Sequence, residues 1–155
     1  MRGTCVLAAV GCIVLFAAGC EQDPRERAVY RAVNDLRRDE GLVPLRRSPR
    51  LNRLARAHAR DMARRCHMGH ADEHGRTVEV RADGAHIDWM MIGENVARNR
   101  GYEDPAAQAV TEWVQSPPHR RNILHPGFTQ TGVGVAEGPD GHTYFDQVFV
   151  RPPAR

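Results

Sequence analysis

The stretch from Trp113 to Val135, WVQSPPHRRNILHPGFTQTGVGV, constrains the fold of this chain most strongly. A helical pattern should stop at Ser116-Pro117-Pro118, because proline removes a backbone donor and disfavours helical angles in the residue before it. A strand punctuated by glycines follows at Thr131–Ala136. Between them, His119 and its polar neighbours are predicted to lie on a short loop, where functional side chains often sit. The alternative is an ordinary polar surface connection.

Length and charge limit the classes of protein to which this chain can belong. Its 155 residues suit one domain with a real core. The net charge of +3 is modest, so nothing indicates general nucleic-acid binding. The four cysteines include no CxxC pair, which argues against a zinc knuckle and a dithiol redox motif.

The start of the chain predicts export. Cys5–Ala18 is an apolar run without a charge, too short to span a bilayer comfortably but typical of a secretory signal. Ala17-Ala18-Gly19-Cys20 is similar to a bacterial lipobox. We therefore expect residues 1–19 to be a lipoprotein-type signal peptide, with Cys20 lipidated and residues 20–25 a short tether. Ordinary signal-peptidase cleavage, which would give a secreted protein, and a retained anchor remain alternatives.

Three strong helix starts follow the leader, each a capping residue before a proline. They stand at Asp23-Pro24, Ser48-Pro49 and Asp104-Pro105. The sequence also predicts a shorter helix at Thr77–Asp83 and a buried strand at His86–Ile92.

The end of the chain has the pattern of a β-hairpin. Thr131–Ala136 is predicted to be one strand, Gly138–Gly141 the turn and His142–Val150 the returning strand. Helices before and strands after predict an α+β sandwich, with residues 151–155 as a tail.

The second predicted helix carries an apolar face and a row of arginines. His58 falls on the apolar face, which favours a hydrogen-bonded core histidine. Arg53, Arg56, Arg60 and Arg64 lie mostly away from that face. They indicate a solvated surface, or a patch that meets anionic lipid headgroups if the protein is anchored.

Two further segments carry candidate functional side chains. Cys66–His74 is dense in possible metal ligands, but its spacing matches neither HExxH nor a zinc finger, so we predict no self-contained site there. Glu94 follows an apolar run and should be partly buried, which requires donors, a cation or a proton. A structural, hydrogen-bonded glutamate would satisfy the same pattern.

Several motifs together resemble the CAP (SCP) superfamily of cysteine-rich secretory, antigen 5 and pathogenesis-related proteins. They are GENVA at 93–97, WVQSPPHRRNIL at 113–124, FTQTGVGVA at 128–136 and YFDQVF at 144–149. The resemblance covers residues 26–150 and is to the compact bacterial form. It implies a three-layer α-β-α sandwich with a C-terminal β-hairpin and a central cleft.

The resemblance also implies site residues. Eukaryotic members line the cleft with two histidines and two glutamates, which here correspond to His70, Glu94 and His119, with Ser116 at the fourth position. Cys66 resembles a cysteine that forms a disulfide in relatives, but no partner cysteine is available in the mature domain.

Chemically, His70, His119 and Glu94 could hold a divalent cation, zinc or calcium. With zinc, an open position would hold a water of lowered pKa as a hydrolytic nucleophile. The same three side chains could equally form a hydrogen-bonded network without metal. A Ser116–His119 dyad is not indicated, because Pro117-Pro118 intervene and no orienting third group is identifiable.

Two functions therefore stay open. The favoured one is a non-enzymatic cell-envelope or extracellular module whose cleft binds a lipid, a cell-wall component or a partner protein. The other is a metal-dependent, peptidase-like hydrolase that uses His70, Glu94 and His119 as catalytic residues. The first is favoured because the sequence identifies no partners that would orient metal-ligating side chains.

Overall fold

A computed structural model of the chain describes residues 23–154. The predicted signal peptide and Cys20 lie outside these residues. The described part contains five helices and four strands. They are α1 Pro24–Asp39, β1 Arg46–Arg47, α2 Pro49–Arg65, α3 Val78–Gly84, β2 Met91–Asn99, α4 Pro105–Gln115, α5 Pro117–Leu124, β3 Gln130–Glu137 and β4 Thr143–Arg151. None of the helices between residues 23 and 154 is long and apolar enough to cross a membrane.

The four strands form one sheet in the order β1-β3-β4-β2. β3 and β2 both pair with β4 in antiparallel fashion, whereas β1 adds a short parallel edge to β3. α1 and α4 pack on one face of the sheet, around Trp113 and Phe145. α2 and α3 pack on the other, around Leu54 and Val148. The predicted α+β sandwich of three layers is confirmed.

The predicted helix starts are confirmed by their capping bonds. The Asp23 carboxylate accepts from the Arg25 backbone N–H, and the Ser48 hydroxyl accepts from that of Leu51. Asp104 accepts from two backbone N–H groups in the first turn of α4. These side chains satisfy donors that have no partner within the helix.

The predicted loop around His119 is wrong, because Pro117–Leu124 forms α5. Pro117 and Pro118 occupy the first positions of that helix, where the missing N–H groups have no helical partner anyway. The two prolines therefore end α4 and start α5 at once. His119 lies in the first turn of a helix.

The strand predicted at His86–Ile92 is also misplaced. His86 takes a left-handed backbone conformation with φ of 52° after α3, and β2 begins only at Met91. Glu94 is therefore inside a strand instead of following one. Because side chains alternate along a strand, Glu94 faces α2 and α3, and Asn95 faces α4 and α5.

The arginines of α2 do not form one solvated row. Arg56 pairs with Glu26 of α1, whose carboxylate is buried, and Arg64 pairs with Asp61 and Glu73. Arg53 and Arg60 are exposed. The expectation for His58 is confirmed, since its buried ring bonds the carbonyl of Gly69 at 2.8 Å.

Two glycines let α2 lie directly on the sheet. A Cβ at Gly132 would lie 2.2 Å from the Leu51 carbonyl carbon, and one at Gly134 would lie 2.2 Å from the Arg56 backbone nitrogen. Both obstacles are helix backbone, which cannot move aside as a side chain can. The glycine-punctuated strand thus sets the spacing between β3 and α2.

We expect Gly134→Ala to lower the free energy of unfolding by about 3 kcal/mol, because α2 must shift away from the sheet. Gly84→Ala is the matched control, since a Cβ there meets nothing within 4 Å. It should raise stability by about 0.5 kcal/mol. Chemical denaturation of the two variants measures the difference, and equal effects would contradict this account of α2 packing.

A histidine and glutamate cluster as the candidate functional site

Glu94 is the buried centre of the candidate site. Its side chain is 2% exposed, and one carboxylate oxygen lies 2.9 Å from Nδ1 of His70. The other oxygen accepts from the guanidinium of Arg81, whose side chain is 7% exposed. Glu94 therefore has a cation on one side and an imidazole on the other, as burial of a carboxylate requires.

His119 is the third side chain of the candidate site. It lies on α5, which packs on the sheet face opposite to the one that carries the Glu94 side chain. Its ring centroid lies 6.5 Å from that of His70, and the two planes are tilted by 50°. Two asparagines fix α5 to β2 beside Glu94. Asn95 donates to the His119 carbonyl at 3.1 Å, and Asn122 donates to the Glu94 carbonyl at 3.1 Å.

The backbone that carries His70 is held by two buried side chains. His58 Nε2 donates to the Gly69 carbonyl at 2.8 Å, and Arg81 donates to the His70 carbonyl at 2.8 Å. Burial, followed by the charge of Arg81, lowers the pKa of His58, so its ring stays neutral at physiological pH. Arg81 thus positions both the backbone of His70 and the carboxylate with which the His70 ring bonds.

The environments of His70 and His119 shift the pKa values of the two imidazoles in opposite directions. The hydrogen bond to Glu94 raises the pKa of His70. Burial, and then the charge of His70, lowers the pKa of His119. Near neutral pH the pair therefore combines a readily protonated ring with a neutral one, so it can donate to and accept from the same ligand.

Asp146 is a further ionisable group that the sequence analysis missed. It is fully buried on β4, opposite Val96 and on the same sheet face as Glu94. As a carboxylate it has no hydrogen-bond partner among the described residues. Burial, and then the negative charge of Glu94, raises its pKa well above the ordinary value. Burial therefore favours the protonated form of Asp146, which can donate to Glu94.

This arrangement does not fit Glu94 as a third metal ligand. Both of its oxygens are engaged, and one of them bonds a guanidinium that would repel a divalent cation. Within residues 23–154, no group of three or more His, Cys, Asp or Glu side chains is placed to hold a metal ion. Glu94 lies behind His70 and orients its ring.

A separate cavity of about 340 Å³ opens between α2 and α3. Leu54, His58, Val80 and Arg81 help to line it, whereas its lining includes neither His70 nor His119. The imidazole pair therefore lies outside this cavity, and the His70 side chain is 56% exposed. His70, Glu94 and His119 lie close together outside this cavity and form the candidate site.

The structure thus brings His70 close to both Glu94 and His119, but their roles as ligands or catalytic groups stay predictions. Ser116 is the N-terminal cap residue of α5, and its side chain makes no capping bond. Sequence reasoning missed Arg81, Asp146 and the two asparagines. A polar residue within the apolar strand Tyr144–Val150 was the available signal for Asp146. Arg81, on a short helix, gave none.

The fold is an α-β-α sandwich, and it carries a histidine pair beside a buried glutamate. Residues 30–150 match the cysteine-rich secretory protein family, CAP. The chain belongs to this family.

Several proteins similar to this chain are bacterial. The chain is 34% identical over 113 residues to the uncharacterized protein YkwD of Bacillus subtilis, and this match covers 72% of the chain but 42% of YkwD. An extracellular protein from Bacillus anthracis that contains an SCP domain superimposes with a TM-score of 0.73 at 24% identity, over 82% of this chain and 40% of that one. An outer surface protein of Borrelia burgdorferi has a TM-score of 0.74 at 19% identity, over 83% and 93%. The two structural likenesses show the fold alone.

We expect Arg81→Met to lower the free energy of unfolding by roughly 3 kcal/mol, since it leaves Glu94 buried without its cation. Arg38→Met is the control, because the Arg38–Asp35 pair is solvent-exposed and such pairs contribute about 1 kcal/mol or less. Urea denaturation compares the two variants. A small, equal loss in both would show that the buried pair does not stabilise the site.

A second prediction concerns Asp146 and pH. A folded-state pKa raised above the unfolded value makes wild-type stability fall as pH rises through the interval between the two values. Asp146→Asn removes this titration, so the variant should gain stability relative to wild type at pH 8 and gain less at pH 4. Thermal unfolding at both pH values measures the difference. A shift of the same size at both would contradict the buried-acid assignment.

Proposed function

We propose that this chain is an exported cell-envelope protein whose cleft binds a ligand or a partner through His70 and His119 and catalyses no reaction. The observation that carries this proposal is that both carboxylate oxygens of Glu94 already have hydrogen-bond partners. With Arg81 on one oxygen and His70 on the other, Glu94 is not free to act as a general base or as a metal ligand. It sets the orientation and charge of an exposed imidazole instead.

The imidazole pair favours a particular kind of ligand group. With ring centroids 6.5 Å apart, both imidazoles are close enough to contact one ligand group. His70, the more readily protonated ring, favours an oxygen with negative charge, and His119 accepts from or donates to the same group. A carboxylate or hydroxyl of a lipid, a cell-wall component or a protein chain meets these requirements.

Export is supported by the apolar leader and by the similarity to proteins named for extracellular and outer-surface locations. A lipidated Cys20 would hold the domain at the membrane. The chain spans less than half of YkwD, so the activity of that whole protein carries no weight here.

The proposal predicts that protein purified without chelator contains substoichiometric zinc and unfolds at the same temperature with and without EDTA. The physical reason is the guanidinium of Arg81, which already neutralises Glu94 and repels a divalent cation. Elemental analysis and differential scanning fluorimetry measure the two quantities. The hydrolase alternative predicts stoichiometric zinc that is lost in both His70→Ala and His119→Ala, while His67→Ala, an exposed neighbouring histidine, keeps it.

The same variants test ligand binding. Native purification from a bacterial envelope, followed by mass spectrometry, should recover a small molecule or a protein with wild type and with His67→Ala. His70→Ala and His119→Ala should each lose it. Retention of the same bound species by both cleft variants would overturn the assignment of binding to the imidazole pair.

A further inference from the structure

Six exposed arginines follow one long edge of the sandwich. We call them the edge arginines, and each lies on α1, β1 or α2: Arg27, Arg31, Arg46, Arg47, Arg53 and Arg60. None of the six forms an ion pair with a carboxylate of residues 23–154. They are therefore available to an external anion.

Their common placement follows from the contacts between these three elements. β1 is the edge strand, and Asn34 of α1 bonds both the N–H and the carbonyl of Leu45, the residue before it. Arg27 lies seven residues, or two helical turns, before Asn34 and therefore on the same face of α1. Arg31 lies about one turn before Asn34. The face of α1 that meets β1 thus continues into these two arginines.

The same argument applies to α2, which follows β1 directly. Arg56 of α2 pairs with Glu26 of α1 across the edge of the sheet. Arg53 and Arg60 lie three before and four after Arg56, so they share its face. All six edge arginines therefore surround the junction of α1, β1 and α2.

This edge has positive charge without compensating negative charge. The nearby carboxylates are each paired with an arginine outside the edge set: Asp23 and Glu137 with Arg25, Glu26 with Arg56, and Asp35, one turn from Arg31, with Arg38. Charged side chains on an edge strand protect it from pairing with another chain, which accounts for Arg46 and Arg47. It does not account for the four edge arginines on helices.

The position of the edge relative to the chain's start suggests what it faces. This step rests on the proposed lipidation of Cys20. Three residues further, Asp23 caps α1, and three extended residues reach at most about 10 Å. A lipidated Cys20 would hold the first turn of α1, and Arg27 with it, within roughly a Debye length of the headgroups.

We propose that the edge arginines dock the domain on anionic phospholipid headgroups. Arginine guanidinium groups bind phosphates through paired N–H donors, and clusters of four to eight basic residues beside an anchor are typical of such surfaces. Docking through this edge would fix the orientation of the domain at the membrane.

The test uses the mature full chain, purified in detergent from a bacterial host and mixed with phosphatidylcholine vesicles with or without phosphatidylglycerol. The edge variant carries three substitutions among the edge arginines, Arg31→Gln, Arg47→Gln and Arg53→Gln. The control carries Arg100→Gln, Arg121→Gln and Arg151→Gln, three exposed arginines outside the edge. Vesicle flotation measures binding, thermal unfolding verifies the fold, and the mass of the chain reports acylation of Cys20.

Phosphatidylglycerol should strengthen vesicle binding by the wild-type protein. In the edge variant this increase in binding should be smaller by a factor of at least about ten. The control should keep it, and high salt should abolish it in all three proteins. If Cys20 is unmodified and the three proteins still bind vesicles as described, the lipid anchor is overturned and the docking surface remains supported.

Equal binding of the wild-type protein to both vesicle types would overturn the docking surface. An equal loss of vesicle binding in the edge variant and the control would overturn it as well. The wild-type protein could instead be retained on heparin, with retention lost in the edge variant and no effect of phosphatidylglycerol. That result would assign the edge to a soluble polyanion and overturn the membrane assignment.

Discussion

The contact between Arg81 and Glu94 is the interaction on which the candidate site depends. It joins α3 to β2 and places a buried carboxylate in the middle of a sheet without an uncompensated charge. Through Glu94 it orients the ring of His70, and through a second bond it holds the His70 backbone. The protonated state of Asp146 follows from the same burial, because a second carboxylate beside Glu94 would have no cation of its own.

Burial gives this ion pair a dry environment. Gly132 and Gly134 bring the α2 backbone close to β3, and His58 of α2 and Glu94 of β2 are both almost inaccessible to water. A low local dielectric strengthens each polar contact inside and raises the cost of any that is lost. Loss of the buried Arg81–Glu94 pair would therefore affect both the candidate site and the stability of the fold.

Prediction from sequence succeeded where the signal is local and failed where it is not. Capping residues before prolines located three helices, since a cap and its helix lie within a few residues. The same reasoning mistook α5 for a loop, because it treated Pro117 only as a terminator. It also placed the strand before Glu94 instead of around it, since His86–Ile92 and Met91–Asn99 have similarly mixed polarity.

Capping residues, periodicity and turn chemistry act along the chain, so the amino-acid sequence predicted the α+β sandwich and its capped helices. The candidate site residues His70, Glu94 and His119 came from the resemblance of sequence motifs to a family. The three-dimensional structure was needed to show that Arg81 contacts one oxygen of Glu94 and that Asp146 lies beside it. It also decided that arginines from three elements share one edge. Such facts depend on which side chains meet across layers, and no local pattern in the sequence encodes those meetings.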